Sequence, residues 1–141
     1  MTVRNLEYLF KPRSVALIGA SPQPNSVGNV TARNLLQGGF DGPIWFVNPK
    51  HREVLGRTCV PEVSQLPEAP DLAVVATPPE TVQPLIAELG ARGTKAVVVI
   101  TAGFGGGEAG RAAKQAMLET AQPHLLRIVG PNCLGVLIPG I

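Results

Sequence analysis

Five short apolar runs recur along this chain at similar spacing, and they constrain its fold more than any other feature. The runs are SVALIG (14–19), IWFV (44–47), LAVVA (72–76), AVVVI (96–100) and LRIVG (126–130). They are rich in Val and Ile and continuous rather than alternating, which is typical of strands buried on both faces of a parallel sheet. The runs therefore predict an α/β fold.

Helical patterns lie between these runs. The first is an approximate apolar stripe that should end at Gly38 and Gly39: Val27, Val30, Leu35 and Leu36. An amphipathic repeat over residues 82–89 predicts a second helix, capped by Thr81 so that Pro84 falls in its first turn. An alanine-rich repeat over 109–117 predicts a third helix. NLEYLF (5–10) predicts a short helix that docks Leu6, Leu9 and Phe10 on the domain edge.

The alternation of strands and helices predicts one Rossmann-like domain over residues 1–141, a length typical of a single domain. Short connections imply a doubly wound, mainly parallel five-stranded sheet with helices on both faces. The proline-rich segment 51–70 is irregular, and we expect one short helical turn in it. Ligands of such sheets bind beyond the carboxyl ends of the strands, where the strand order reverses.

Composition excludes several classes of partner. The net charge is +2, and twelve basic and ten acidic residues are scattered without the basic stripe that a nucleic-acid backbone requires. The apolar runs are far shorter than the ~20 residues of a membrane span, so we expect a cytoplasmic protein. Cys59 and Cys133 lack metal-site spacing and are expected to be reduced thiols. The charged fraction is only 16%, which fits a sheet covered on both faces or a domain cut from a longer protein.

Catalytic and metal-binding motifs are missing from the sequence. It contains no GxxxxGK[ST], HExxH or GxSxG motif and no paired carboxylates in a plausible pocket. His51 and His124 stand apart and are interpreted as surface histidines. Cys133 has no base in view and is interpreted as a small buried hydrophobe. The sequence therefore predicts a binding site with no catalytic residue and no metal ligand.

The turn after the first run is a candidate anion site. Gly19 allows a tight turn, and free amides at the start of the next helix would attract a phosphate. The spacing from Gly19 to Gly28 is not GxGxxG, so an ordinary strand-to-helix turn capped by Ser26 is the other interpretation.

The residues after the second run distinguish an NAD site from a site for a cofactor that carries a phosphate on its ribose. An NAD site carries Asp or Glu there to hold the ribose hydroxyls, whereas this chain has Asn48, Pro49 and Lys50. A lysine attracts a ribose phosphate, and such a charge-assisted contact is worth roughly 1.5–3 kcal/mol. The cofactor implied is coenzyme A (CoA) or NADP, with a solvated loop lysine as the alternative.

Three further segments follow predicted strands. Residues 105–110 match GxGxxG, but no acidic residue follows at the required distance, so we interpret them as a mobile glycine loop. Thr77, Pro78 and Pro79 form a stiff shoulder suited to a thin apolar chain. The GPNCLG motif places Asn132 at the same edge of the sheet.

Together, the motifs VALIGAS with SVG, FVNPK, VVATPPETV, VVVITAGF and IVGPNCLGVLIPG resemble the N-terminal CoA-binding domain of NDP-forming acyl-CoA synthetases. They are also similar to the start of the succinyl-CoA synthetase alpha subunit. The resemblance runs from Leu6 to the end of the chain. It implies that the turn after the first apolar run contacts the CoA phosphates and that Lys50 contacts the nucleotide end. It also implies that the loops after the third and fourth runs border the pantetheine.

The candidate site combines the residues that the resemblance implies with the residues that follow the predicted strands. Its residues are Gly19, Ala20, Ser21, Ser26, Val27, Gly28, Lys50, Thr77, Pro78, Ile100, Thr101, Ala102 and Asn132. The resemblance implies a phosphohistidine relay whose histidine lies in a later domain, and neither histidine of this chain matches that motif. The fragment alone is therefore expected to bind rather than catalyse.

Three functions remain open on the sequence. The first is the domain that binds CoA or short acyl-CoA in a longer ADP-linked or ATP-linked ligase, whose other domains or subunits are its partners. Such a domain can also be fused to an acetyltransferase. The second is a standalone regulatory module that senses acyl-CoA. The third is a fragment of an NADP-binding oxidoreductase.

Overall fold

Strands and helices alternate along residues 3–139, the part of the chain that the computed structural model describes; the extreme ends of the predicted 1–141 domain lie outside it. The strands are β1 (Val15–Ile18), β2 (Ile44–Val47), β3 (Glu53–Val54), β4 (Arg57–Val60), β5 (Leu72–Val75), β6 (Ala96–Val99) and β7 (Arg127–Val129). The helices are α1 (Glu7–Phe10), α2 (Val27–Gln37), α3 (Pro79–Arg92) and α4 (Gly107–Ala121). Short 3-10 helices cover Val63–Gln65 and Gln122–His124.

The strands form one sheet in the order β3-β4-β2-β1-β5-β6-β7. Every pairing is parallel except β3 with β4. The chain starts at the central strand β1 and adds β2, β4 and β3 on one side of it. It then crosses over to add β5, β6 and β7 on the other side, so the strand order reverses between β1 and β5. This topology confirms the predicted doubly wound, mainly parallel fold and places the switch point beside the β1 turn.

The sheet has seven strands rather than the predicted five. The two extra strands, β3 and β4, form a hairpin within the segment that we expected to be irregular. Leu55 and Gly56 both have positive φ, as a two-residue type I′ turn requires. Each strand buries little, mainly Val54 and Cys59, so no continuous apolar run marks them. The expected helical turn is present as the 3-10 helix Val63–Gln65.

Both faces of the sheet are covered, as the continuous apolar runs predicted. All residues of β1 and β6 are buried. On one face Ile18, Val75 and Val97 pack with the apolar sides of α3 and α4, and on the other Leu17 and Phe46 pack with α2.

Helix α2 begins at Val27 with Ser26 as its cap, as predicted, but only half of the predicted apolar stripe packs on the sheet. Leu35 and Leu36 pack against the core, whereas Val27 and Val30 are 55% and 44% exposed and line a cavity with Val74 and Val98. The buried residues of the helix are Gly28, Asn29 and Ala32. A Cβ on Gly28 would overlap the carbonyl oxygen of Gly19, so the helix approaches β1 through its smallest residues.

Helix α3 begins at Pro79, with Pro78 at the cap position, so the predicted Thr81 cap is wrong. Pro79 provides the fixed φ that favours the first helical position. Thr81 instead lies in the first turn, where its hydroxyl donates to the Pro78 carbonyl oxygen at 2.6 Å. Pro84 consequently lies inside the helix, on its exposed side. The helix ends at Gly93, whose φ is +101°.

The N-terminal helix forms where it was predicted but docks shallowly. Leu9 is half-buried, while Leu6 and Phe10 are 36% and 39% exposed. Among residues 3–139, no helix combines the length and the apolar character needed to cross a bilayer.

Substitution of Gly28 tests the close approach of α2 to β1. We expect Gly28→Ala to lower the free energy of unfolding by about 1–3 kcal/mol, because the added methyl group forces the helix away from Gly19. Urea denaturation measures this loss. Gly106→Ala is the matched control, because Gly106 has negative φ and open space around its Cα; equal losses in the two variants would contradict the packing role.

An ion pair joins the amino ends of β1 and β5. The Arg13 side chain donates to both carboxylate oxygens of Asp71, at 2.9 and 3.3 Å, and the Arg13 amide adds a bond at 3.0 Å. The hydrogen bond from the guanidinium is the main cause that lowers the pKa of Asp71 below its ordinary value. The Ser14 hydroxyl also links the two strand ends, because it accepts a hydrogen bond from the Asp71 amide.

The lowered pKa of Asp71 predicts a pH-dependent contribution to stability. The charged form is favoured in the folded state, so its stabilisation is complete above the unfolded pKa of about 3.9 and is lost as the pH falls through the folded pKa. We expect wild type to be more stable than Asp71→Asn at pH 7, and the difference to shrink at pH 3. Urea midpoints at both pH values measure it, and an equal gap at both would count against the ion pair.

Candidate functional site

The first cavity at the carboxyl edge of the sheet lies between the loops that follow β5, β6 and β7. It has a volume of about 400 Å³ and brings together seven predicted site residues: Val27, Thr77, Pro78, Ile100, Thr101, Ala102 and Asn132. Most of its remaining walls are apolar, including Ala76 and Pro79. The shape and chemistry suit a thin, mainly apolar chain.

Two smaller cavities continue along the same edge toward β4. One, of about 190 Å³, is lined by Gly19 and shares Thr77 with the first cavity. The other, of about 280 Å³, contains Lys50. These two share Pro49 and Pro61. The three cavities therefore adjoin one another across the ends of the strands and form an elongated site.

The β1 turn lies at the middle of this edge and presents free amides. Gly19 has φ +99°, and its amide donates to the Val47 carbonyl oxygen at 2.9 Å. Ser26 caps α2 by accepting from the Asn29 amide at 3.2 Å. The amides of Val27 and Gly28 have no hydrogen-bond partner within residues 3–139. Two unpaired donors at a helix N-terminus attract an anion.

Four predicted residues of this turn do not line the three cavities: Ala20, Ser21, Ser26 and Gly28. Ala20 is fully buried, and the Ser21 carbonyl oxygen accepts from the Asn29 side chain at 2.9 Å. The Ser21 hydroxyl accepts from the Gln23 amide and the Ser26 hydroxyl from the Asn29 amide, so both side chains hold the turn.

The loop after β2 carries positive charge into the third cavity. The Lys50 side chain is exposed, and its ammonium has no partner in the described part of the chain. Arg52 and His51 line the same cavity. Arg52 was not predicted, since it belongs to the segment whose hairpin the sequence pattern did not reveal.

Two threonine hydroxyls of the first cavity are already bonded to the protein. Thr101, which is buried, donates to the Thr77 carbonyl oxygen at 2.7 Å. The Thr77 hydroxyl forms a hydrogen bond with the Thr81 hydroxyl at 2.6 Å. These bonds tie the β5 and β6 loops together and fix the width of the cavity.

The glycine-rich residues 105–110 do not contribute to these cavities. The predicted glycine loop is shorter than expected, because residues 107–110 already form the first turn of α4 and Gly106 is its N-cap.

Cys133 and Leu134 line the first cavity and were not predicted as site residues. Their position directly after Asn132 in GPNCLG was the available signal. Cys133 is half-buried rather than buried as expected, and its thiol donates to the Val99 carbonyl oxygen at 3.3 Å. Both cysteines are unpaired in the structure, and burial raises the pKa of the Cys59 thiol.

His51 and His124 are both exposed, as predicted. Within the described ranges, no three His, Cys, Asp or Glu side chains form a group that could hold a metal ion.

A doubly wound sheet with free helix amides after β1 and a cation after β2 defines a domain for a phosphate-bearing nucleotide cofactor. The family model described as a CoA binding domain matches residues 13–139, and the chain belongs to this family. The cofactor is therefore CoA, which decides between the two cofactors that the sequence left open.

Relatives and solved structures agree with this assignment. The chain is 42% identical over 133 residues to an ADP-forming acetate–CoA ligase of Archaeoglobus fulgidus, covering 94% of this chain and 19% of that one. It superposes on the apo acetyl-coenzyme A synthetase 1 of Candidatus Korarchaeum cryptofilum with a TM-score of 0.84 and 37% identity, over 92% of this chain and 28% of that one. The chain thus spans less than a third of either enzyme.

A second similar structure is of about the same length as this chain. A hypothetical protein from Pyrococcus horikoshii has a TM-score of 0.71 and 29% identity, and the match covers 95% of this chain and 87% of that one.

The hydrogen bond from Thr101 to Thr77 can be tested by removing the hydroxyl. Thr101→Val keeps the volume but leaves the Thr77 carbonyl oxygen without this donor, so we expect the free energy of unfolding to fall by about 1–2 kcal/mol. Thr101→Ser retains the donor and serves as the control. Urea denaturation measures both, and a serine variant that is less stable than the valine variant would contradict the role of the bond.

Proposed function

We propose that this chain is the CoA-binding module at the N-terminus of an ADP-forming acyl-CoA synthetase. The observation that carries this proposal is the elongated site at the carboxyl edge, with free amides at its middle, a lysine at one end and an apolar cavity at the other. CoA has matching chemistry along its length: a ribose phosphate, a pyrophosphate and a thin pantetheine chain.

The phosphates are assigned to the β1 turn and to Lys50. The unpaired amides of Val27 and Gly28 lie at the positive end of α2 and suit the pyrophosphate. Lys50 lies in the neighbouring cavity with Arg52, where positive charge suits the 3′-phosphate of the ribose.

The pantetheine is assigned to the 400 Å³ cavity, whose walls include Pro78, Ile100 and Ala102. The donors of its two threonine hydroxyls are used within the protein, so the wall offers mainly apolar contact to the pantetheine. The thiol would emerge near Asn132, at the far end of the site from Lys50.

Catalysis is assigned to other domains of the intact protein, because the sequence contains none of the catalytic motifs sought in it. In the complete enzyme the CoA thiol would attack the carbonyl carbon of an acyl phosphate, forming the thioester and releasing inorganic phosphate. The domains or subunits that make the acyl phosphate would be partners of this one, in the cytoplasm, where Cys59 and Cys133 remain reduced. A fusion to an acetyltransferase domain is compatible with the same module.

A standalone acyl-CoA sensor is the second candidate function. It is favoured by the similar Pyrococcus horikoshii protein, of which the match covers 87%. A native polypeptide that ends near Ile141 would favour the sensor, and one that continues for several hundred residues would favour the synthetase.

Thermal shifts with CoA and dephospho-CoA test the placement of the ribose phosphate. We expect CoA to stabilise the domain more than dephospho-CoA does, because only CoA carries the 3′-phosphate. In Lys50→Ala we expect CoA affinity to fall roughly 10- to 100-fold, the equivalent of one charge-assisted hydrogen bond, while affinity for dephospho-CoA changes little.

The matched control is Lys114→Ala, which removes an exposed lysine on α4 and should leave both affinities unchanged. Equal shifts for the two ligands in the wild-type domain would overturn the role of Lys50. Stronger stabilisation by NADP than by CoA would overturn the proposed function itself.

A further inference from the structure

Asn48 occupies the position where a dinucleotide site has its ribose-binding acid, but here both polar atoms of the side chain form hydrogen bonds with the protein. Its Nδ2 donates to the Ala20 carbonyl oxygen at 2.6 Å. Its Oδ1 accepts from the Lys50 amide at 2.7 Å and from the His51 amide at 3.1 Å. Its own amide donates to the Val60 carbonyl oxygen at 3.0 Å.

This arrangement joins the two loops assigned to the phosphates. Ala20 belongs to the β1 turn, and Lys50 belongs to the loop after β2. The carboxamide is suited to the task because it has a donor for the carbonyl and an acceptor for the two amides. An aspartate would retain the acceptor but would place a carboxylate oxygen against the Ala20 carbonyl oxygen.

The link also restricts where Lys50 can place its charge. Pro49 fixes one backbone torsion before Lys50, and the bond to Asn48 holds the Lys50 amide. The lysine is therefore held at its backbone, and only its side-chain torsions remain to be ordered when a phosphate binds. A smaller entropy loss on binding increases affinity.

We propose that Asn48 is a positioning residue that makes the site selective for CoA over dephospho-CoA, by fastening the Lys50 loop to the β1 turn. This inference rests on the proposed function. Asn48 acts through the backbone of Lys50, because its Oδ1 holds the Lys50 and His51 amides while its Nδ2 is bonded to the Ala20 carbonyl oxygen.

A double-mutant cycle tests the proposal on the 141-residue chain. Calorimetric titration measures the dissociation constants of CoA and dephospho-CoA for wild type, Asn48→Ala, Lys50→Ala and the double variant. We expect wild type to prefer CoA by roughly 10- to 100-fold and Asn48→Ala to lose most of that preference. In the Lys50→Ala background, Asn48→Ala should change the preference no further.

Two further variants separate positioning from general stability. Asn48→Ser keeps a short acceptor for the Lys50 amide and should recover part of the preference; it also carries the test if Asn48→Ala does not fold. Asn34→Ala removes an exposed asparagine on α2 and should leave the preference unchanged. A loss of melting temperature without a change of preference is what a merely structural role produces, and it would overturn the proposal.

The failures of the two proposals can be told apart. A wild-type domain that binds CoA and dephospho-CoA equally overturns the assignment of Lys50 and this inference with it. A wild-type preference that Asn48→Ala retains, or effects of Asn48→Ala and Lys50→Ala that simply add, overturns only the role of Asn48.

Discussion

The site depends on the contact between two glycines, Gly19 at the end of β1 and Gly28 in the first turn of α2. A side chain on Gly28 would overlap the Gly19 carbonyl oxygen, and one on Gly19 would lie 2.6 Å from the Ala76 carbonyl oxygen. Because neither glycine has a Cβ, α2 starts directly against the sheet edge, and the amides of Val27 and Gly28 remain unpaired within residues 3–139. The two outer glycines of a dinucleotide-binding turn have the same roles, a tight turn and close helix packing, although here they are farther apart in sequence.

From this contact the site divides into two ends with different chemistry. Toward β2 and β4 it is cationic, and hydrogen bonds through Asn48 hold the backbone of its loop. Toward β5, β6 and β7 it is apolar and narrow, with Thr77 and Thr101 bonded to the protein. The two ends of the site therefore differ in charge and in width, while the energy that stabilises the fold comes from strands buried on both faces.

The sequence predicted the strands that are buried on both faces and the charged residue that follows the second of them. Continuous apolar runs predicted the five core strands, because a strand covered on both faces has no polar side. The hairpin of β3 and β4 was missed because each strand buries little more than one side chain and its turn is Leu-Gly instead of Asn-Gly. The exposure of Val27 and Val30 was missed because the packing of α2 is decided by a backbone contact at Gly28. The charge of Lys50 directly after a predicted strand was enough to predict it as a site residue. Arg52 could not be predicted, because the hairpin that brings it to the same cavity was not recognised.

The bonded threonines have a consequence for how such a module is used. A wall whose hydroxyl donors are already used distinguishes molecules by their width more readily than by their hydrogen-bonding groups. Such a wall is set by two hydrogen bonds in neighbouring loops, so residues beyond the cavity can change in evolution without altering its width.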